Sequence, residues 1–143
     1  MDERLGIEFV KVNADHAIAT MPVAGNRQIT GSMHGGAYCT LAETLASLAA
    51  CEHAGNGRMA VGLDISATHT GRAADGRVTA TCRAIHLGKT VAVYNVDIDD
   101  APGLDRTGDD RAAGQLGFDS QRSLNRRSEA ALAQPAAGLL PAG

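Results

Sequence analysis

Tryptophan is absent from this chain of 143 residues, and two tyrosines and two phenylalanines bring its aromatic content to only 3%. That leaves no stacking platform for the bases of a single-stranded nucleic acid. An excess of positive charge is lacking as well: 13 Lys and Arg stand against 16 Asp and Glu, a formal net charge of −3. A general nucleic-acid binder needs a basic face, so no nucleic-acid partner is expected. The longest apolar run, around Leu41 to Cys51, contains Glu43 and is too short to cross a bilayer, so no membrane partner is expected. The start, Met1-Asp2-Glu3-Arg4, has neither the basic opening nor the apolar run of a secretory signal, and the chain reads as cytoplasmic.

Other absences narrow the chemistry. The three cysteines, Cys39, Cys51 and Cys82, form no C-x-x-C pair, which excludes a redox motif or zinc ribbon and leaves them as small buried hydrophobes. The five histidines, at 16, 34, 53, 69 and 86, include no H-x-x-x-H spacing, and no metal site is expected. No G-x-S-x-G occurs, which removes the serine-hydrolase route. Gly88-Lys89-Thr90 ends like a phosphate-binding P-loop, but that motif needs glycine where Arg83 stands.

What is present is a β-rich first part and a β-poor remainder. Residues 1–98 hold 14 Val and Ile, whereas residues 99–143 hold none, and strands favour β-branched residues. The pattern predicts strands at Ile7–Val12 and Ala17–Val23 joined by Asn13-Ala14-Asp15, and a glycine-rich loop over Gly25–Gly36. A helix over Ala37–His53 follows, stopped by Gly55-Asn56-Gly57. Three more strands are predicted at Met59–Thr70, Arg77–His86 and Thr90–Ile98. The last alternates, with Ala92, Tyr94, Val96 and Ile98 sharing one face. One long helix among antiparallel strands is an α+β arrangement. The helix is apolar nearly all round, so burial by a wrapped sheet or by a partner subunit is expected.

The domain is expected to span residues 1–100, followed by a divergent, partly disordered tail over 101–143. Within that tail Arg111–Phe118 is at best a poor strand and Ser123–Gln134 a marginal helix. The abrupt change admits a divergent extension or a shifted reading frame that removes the last strand.

Chemistry concentrates in Gln28–Ser47, QITGSMHGGAYCTLAETLAS. Glu43 is the only charged residue between His34 and Glu52 and sits mid-helix, one turn from Cys39, Thr40, Ala46 and Ser47. A carboxylate there loses water and becomes a stronger base, although a structural Glu bonded to Ser47 or to a partner chain fits the same position. His34-Gly35-Gly36 opens the helix, where unpaired N–H groups and partial positive charge gather. Gly35 lets a substrate reach that backbone, as an oxyanion hole requires, while ordinary capping accounts for the same spacing.

These residues carry a resemblance. HGGAYCTLAETLAS resembles the signature of the hotdog-fold acyl-CoA thioesterases, most of all the 4-hydroxybenzoyl-CoA thioesterases of the Arthrobacter type, and also the 1,4-dihydroxy-2-naphthoyl-CoA and phenylacetate-pathway thioesterases. The likeness runs from about Gly6 to Ile98, includes GLDISATHTGRAADGRV and RAIHLGKT, and fades beyond Ile98. It implies a hotdog fold, an antiparallel sheet wrapped around one long helix, and hydrolysis of an acyl-CoA thioester with an aromatic or medium-sized acyl group. It implies Glu43 as nucleophile or base, and Gly35 as the N–H that polarises the thioester carbonyl. Gln28 helps bind that carbonyl, His34 supports the loop, and Ser47 orients water or carboxylate. His69 corresponds to a histidine at the acyl pocket, and Arg72, Lys89 and Thr90 to positions that contact CoA phosphates. His86, in RAIHLGKT, is grouped with this substrate-binding set, and Arg83 is a further cation near it. No cofactor is implied, since CoA is part of the substrate, and a homodimer or homotetramer with shared sites is. A non-catalytic acyl-CoA-binding hotdog protein is the rival reading.

Overall fold

The computed structural model describes residues 2–55 and 57–100, together with the backbone of residues 112–119. A short helix α1 (Asp2–Leu5) leads into β1 (Glu8–Val12) and β2 (His16–Pro22), and then comes the long helix α2 (Gly35–Ala54). Strands β3 (Val61–His69), β4 (Arg77–Leu87), β5 (Val91–Asp99) and β6 (Ala112–Asp119) complete the order. The six strands form one sheet in the order β1-β2-β4-β5-β6-β3, antiparallel at every step. Helix α2 crosses it and touches every strand. This is the α+β hotdog architecture expected from the sequence, with strand bounds within two residues of the pattern.

Alternation decides which residues meet the helix. Ala17, Ala19 and Met21 of β2, Val78, Ala80 and Cys82 of β4, and Ala92, Tyr94, Val96 and Ile98 of β5 are buried, while their neighbours in sequence face outward. The helix answers with Tyr38, Leu41, Ala42, Leu45, Ala46, Ala49, Ala50 and Ala54. Alanines on both surfaces let helix and sheet approach closely, and Leu41, Leu45, Met21 and Tyr94 fill the remaining volume. Truncating Leu41 or Leu45 to alanine costs about 2–5 kcal/mol by the usual core scale.

The sheet by itself does not bury the helix all round, which leaves the other expected covering, a partner subunit, for the rest. Only one broad stripe is covered within the chain. Thr40, Glu43, Thr44 and Ser47 are half-buried, and Leu48 is exposed on the other side. The reason is that a sheet packed on one side of a helix covers one stripe of it.

Strand β6 lies beyond residue 100, in the stretch where the sequence suggests a poor strand at best. Its backbone pairs with β5 from Val91↔Asp119 to Ile98↔Ala112 and with β3 from Val61↔Asp119 to His69↔Ala112. Ladder hydrogen bonds come from the main chain, so a segment poor in β-branched residues still forms a strand when both neighbours offer partners. The expected helix at Ser123–Gln134 and the rest of the tail lie outside the described residues.

Candidate active site

The start of α2 is assembled by a buried asparagine. The Asn26 side-chain amide donates to the carbonyls of Leu5 and Pro22, each at 2.9 Å, and its own backbone carbonyl accepts the His34 N–H at 2.9 Å. His34 is the N-cap, with extended backbone at φ −71° and ψ 134°, and its Nδ1 accepts the Gly36 N–H at 2.8 Å. That leaves the Gly35 N–H, the first of the helix, with no acceptor among the described residues. The expected polarising donor is thus at the dipole's positive end and open, while His34 is occupied in capping its neighbour.

His69, at the end of β3, stands beside Gly35. A side chain added at Gly35 would meet His69 Nε2 at 3.3 Å. Tyr38, one turn into the helix, packs against the same ring with centroids 5.6 Å apart, and its hydroxyl accepts the buried Ala73 N–H at 3.0 Å. Tyr38 escaped the sequence reading; its signal was a lone aromatic two residues after the glycine pair. Gln28 is exposed, and its Nε2 donates to Ser32 Oγ at 3.0 Å inside the preceding loop. No described bond joins it to Gly35 or Glu43.

A second cluster lies at mid-helix. The Ser47 hydroxyl donates to Glu43 Oε1 at 3.4 Å, and the carboxylate rests against Gly62 of β3. Glu43 is half-buried rather than enclosed in apolar surroundings, because it points to the open side of the helix near the sheet's last strand. Gly62 was missed from sequence, although a glycine inside a predicted strand signals a close approach.

These two clusters are not one constellation within a chain. Gly35 and Glu43 are eight residues apart on the same helix, about 12 Å along its axis. One thioester carbonyl cannot touch both groups there. The candidate phosphate-binding residues divide similarly. Arg72 neighbours Ala73, which is tied to Tyr38 near the helix start. Lys89 and Thr90 follow Gly88, whose carbonyl meets His53 Nε2 at 2.8 Å near the helix end. The His86 ring leans on Gly88. Arg72, Arg83, His86, Lys89 and Thr90 are all exposed. Among the cysteines only Cys82 is fully buried, and burial pushes its thiol up from 9.0 to about 12; Cys39 and Cys51 are half-buried. Among the described residues no helix is long and apolar enough to cross a membrane.

A six-stranded antiparallel sheet packed on one long helix is the hotdog architecture that the resemblance implied. Comparison with known proteins gives the family. Residues 30–106 match the model of the thioesterase superfamily, and the chain belongs to it. A protein of Deinococcus radiodurans is 41% identical over 101 residues, 70% of this chain and 64% of that protein. The 1,4-dihydroxy-2-naphthoyl-CoA hydrolase of Escherichia coli is 38% identical over 100 residues, 69% of this chain and 74% of that one. The crystal structure of the thioesterase HI1161 from Haemophilus influenzae superposes with a TM-score of 0.75 at 33% identity, covering 87% of this chain and 84% of that one. The family and the names of these relatives make this chain an enzyme of the thioester-hydrolase class.

Proposed function

We propose that this protein hydrolyses an acyl-CoA thioester with an aromatic or medium-sized acyl group to the free acid and CoA, at sites built from two copies of the chain. The observation that carries this reading is the pairing of a half-buried helix carboxylate, Glu43, with an open helix-start amide, Gly35, about 12 Å away along one helix. Each group suits thioester cleavage, and a second copy can bring the amide of one chain to the carboxylate of the other. The exposed strand β3, which ends the sheet and displays Leu63 and Ile65, offers a place for that copy to join. The name of the E. coli relative supports the aromatic acyl group.

In the proposed reaction the thioester oxygen sits at the Gly35 N–H, where the helix dipole stabilises the negative charge developing on it. Glu43 either takes a proton from the attacking water or itself bonds to the carbonyl carbon, giving an anhydride that water then opens. In both routes the C–S bond breaks, the sulfur leaves as the CoA thiolate, and a proton returns to it. Ser47 holds the carboxylate or its water, and Gln28 and His34 line the approach to the amide. His69 sits at the acyl end, and Arg72, His86, Lys89 and Thr90 meet the CoA portion, with charge-assisted bonds to its phosphates from the cations. CoA enters as part of the substrate, and the thioester is reactive enough to need no other cofactor.

The test is release of free thiol from benzoyl-type CoA esters, with Glu43→Ala beside the native chain. Turnover that vanishes in the variant supports the reading. Unchanged turnover removes Glu43 from it, and CoA-ester binding without turnover in the native chain replaces it with a binding protein. Incorporation of labelled water oxygen into Glu43 during a single turnover distinguishes the anhydride from direct attack by water.

A further inference from the structure

We infer that Gly62 is a positioning residue whose missing side chain makes the space that seats the Glu43 carboxylate, an inference that rests on the role proposed for Glu43. A Cβ built on Gly62 would lie 2.5 Å from Glu43 Oε1, 3.4 Å from its Cδ and 3.6 Å from Oε2. Contacts under 3.0 Å are essentially never made by real Cβ atoms, so one of the two groups must give way. The carboxylate gives way more easily, because it is the end of a flexible side chain on the open side of the helix, whereas Gly62 is fixed in β3 opposite Phe118 of β6.

Glycine is not needed at this position for any other reason the structure shows. Gly62 is not among the residues with positive φ, so its backbone conformation is one that alanine adopts freely. The register irregularity between Gly62 and Asp64 lies in the β6 pairing, and it imposes no left-handed residue at 62. Inside a strand, glycine weakens the fold relative to alanine, and within one chain the neighbouring carboxylate accounts for its presence. Alanine there must move Oε1 by at least about 0.5 Å, from 2.5 Å to beyond 3.0 Å, and this disturbs its bond from Ser47. A displacement of 1 Å at a reacting group costs on the order of 10²-fold in rate, so half of that predicts about tenfold.

The test compares the native chain, Gly62→Ala, Glu43→Asp and the double variant. Gly62→Ala should melt at or above the native temperature, lower kcat about tenfold and leave KM within about twofold. Glu43→Asp should cost less in the Gly62→Ala background than in the native one, because the full reach of Glu43 is already lost there. In protein labelled at the glutamate carboxyl carbon, the Glu43 carbon signal should shift on Gly62→Ala. A folded Gly62→Ala with native kcat, strictly additive variants, or an unmoved Glu43 signal overturns the inference. Should Gly62→Ala fold poorly, the Glu43→Ala/Gly62→Ala pair must restore native melting, and its failure to do so also overturns it. A native chain that releases no thiol sinks the proposed function instead, and the carbon signal still decides the role of Gly62.

Discussion

Replacing Gly35 by proline separates the helix-start amide from everything else that residue does. Proline at the first position of a helix costs little, because its missing N–H would have no intrahelical partner and its φ is already helical. The preceding residue must be extended, and His34 already is, at φ −71° and ψ 134°. Gly35→Ala is the matched control. It keeps the N–H and adds the same Cβ, which meets His69 Nε2 at 3.3 Å and asks that ring to yield by a few tenths of an ångström. The two variants should therefore melt within a few degrees of each other, while kcat for thiol release differs. Loss of one oxyanion donor costs about 10²–10³-fold in kcat, so Gly35→Pro should fall that far below Gly35→Ala. The assay is CoA release followed by a thiol reagent at saturating ester, with both melting curves recorded. A proline variant whose kcat stays within about threefold of the alanine variant would refute the amide's role.

Three further outcomes are expected. Mixing Glu43→Ala with Gly35→Pro chains at equal amounts and allowing subunit exchange should restore about a quarter of native activity, since half the dimers are mixed and each mixed dimer holds one intact shared site; no recovery would place each site within one chain. Tyr38→Phe leaves the buried Ala73 N–H without its 3.0 Å acceptor, which should lower unfolding free energy by about 1–3 kcal/mol in a denaturant titration. Cys82 stays protonated in the fold up to about 12, whereas the unfolded thiol ionises from 9.0. Its contribution to stability is therefore complete below pH 9 and declines above it, by on the order of 1 kcal/mol per pH unit, and Cys82→Ala should lose that slope in denaturant titrations across pH 8–11.

Much of the fold was legible because one face of each strand had to be apolar. The alternation in Val91–Ile98 put Ala92, Tyr94, Val96 and Ile98 on one face, which is the buried one, and the glycines around Gly55 stopped the helix where its C-cap now sits, with Gly55 at φ 76° and its N–H on Cys51 O at 3.2 Å. Strand β6 was the least legible element. Its residues lack the β-branched signal, and it is held by partners on both sides that are distant in sequence. The site was half legible. Glu43 stood out as a lone charge in an apolar helix, and His34-Gly35-Gly36 as a helix start. Gly62 and Tyr38 did not, because a missing side chain and a single aromatic acquire meaning only from what packs against them.

The sequence alone determined the chemical inventory: one helix carrying a carboxylate, a glycine pair at its start, and cations in the loops and strands around it. It carried the family resemblance as well, in the stretch HGGAYCTLAETLAS. Only the tertiary structure decided that His34 caps Gly36 and leaves the Gly35 amide open, that Glu43 leans into the gap at Gly62, and that the helix keeps an open side. The physical reason is that residue identity sets what a group can do, whereas distance and burial come from long-range packing, which no local pattern records.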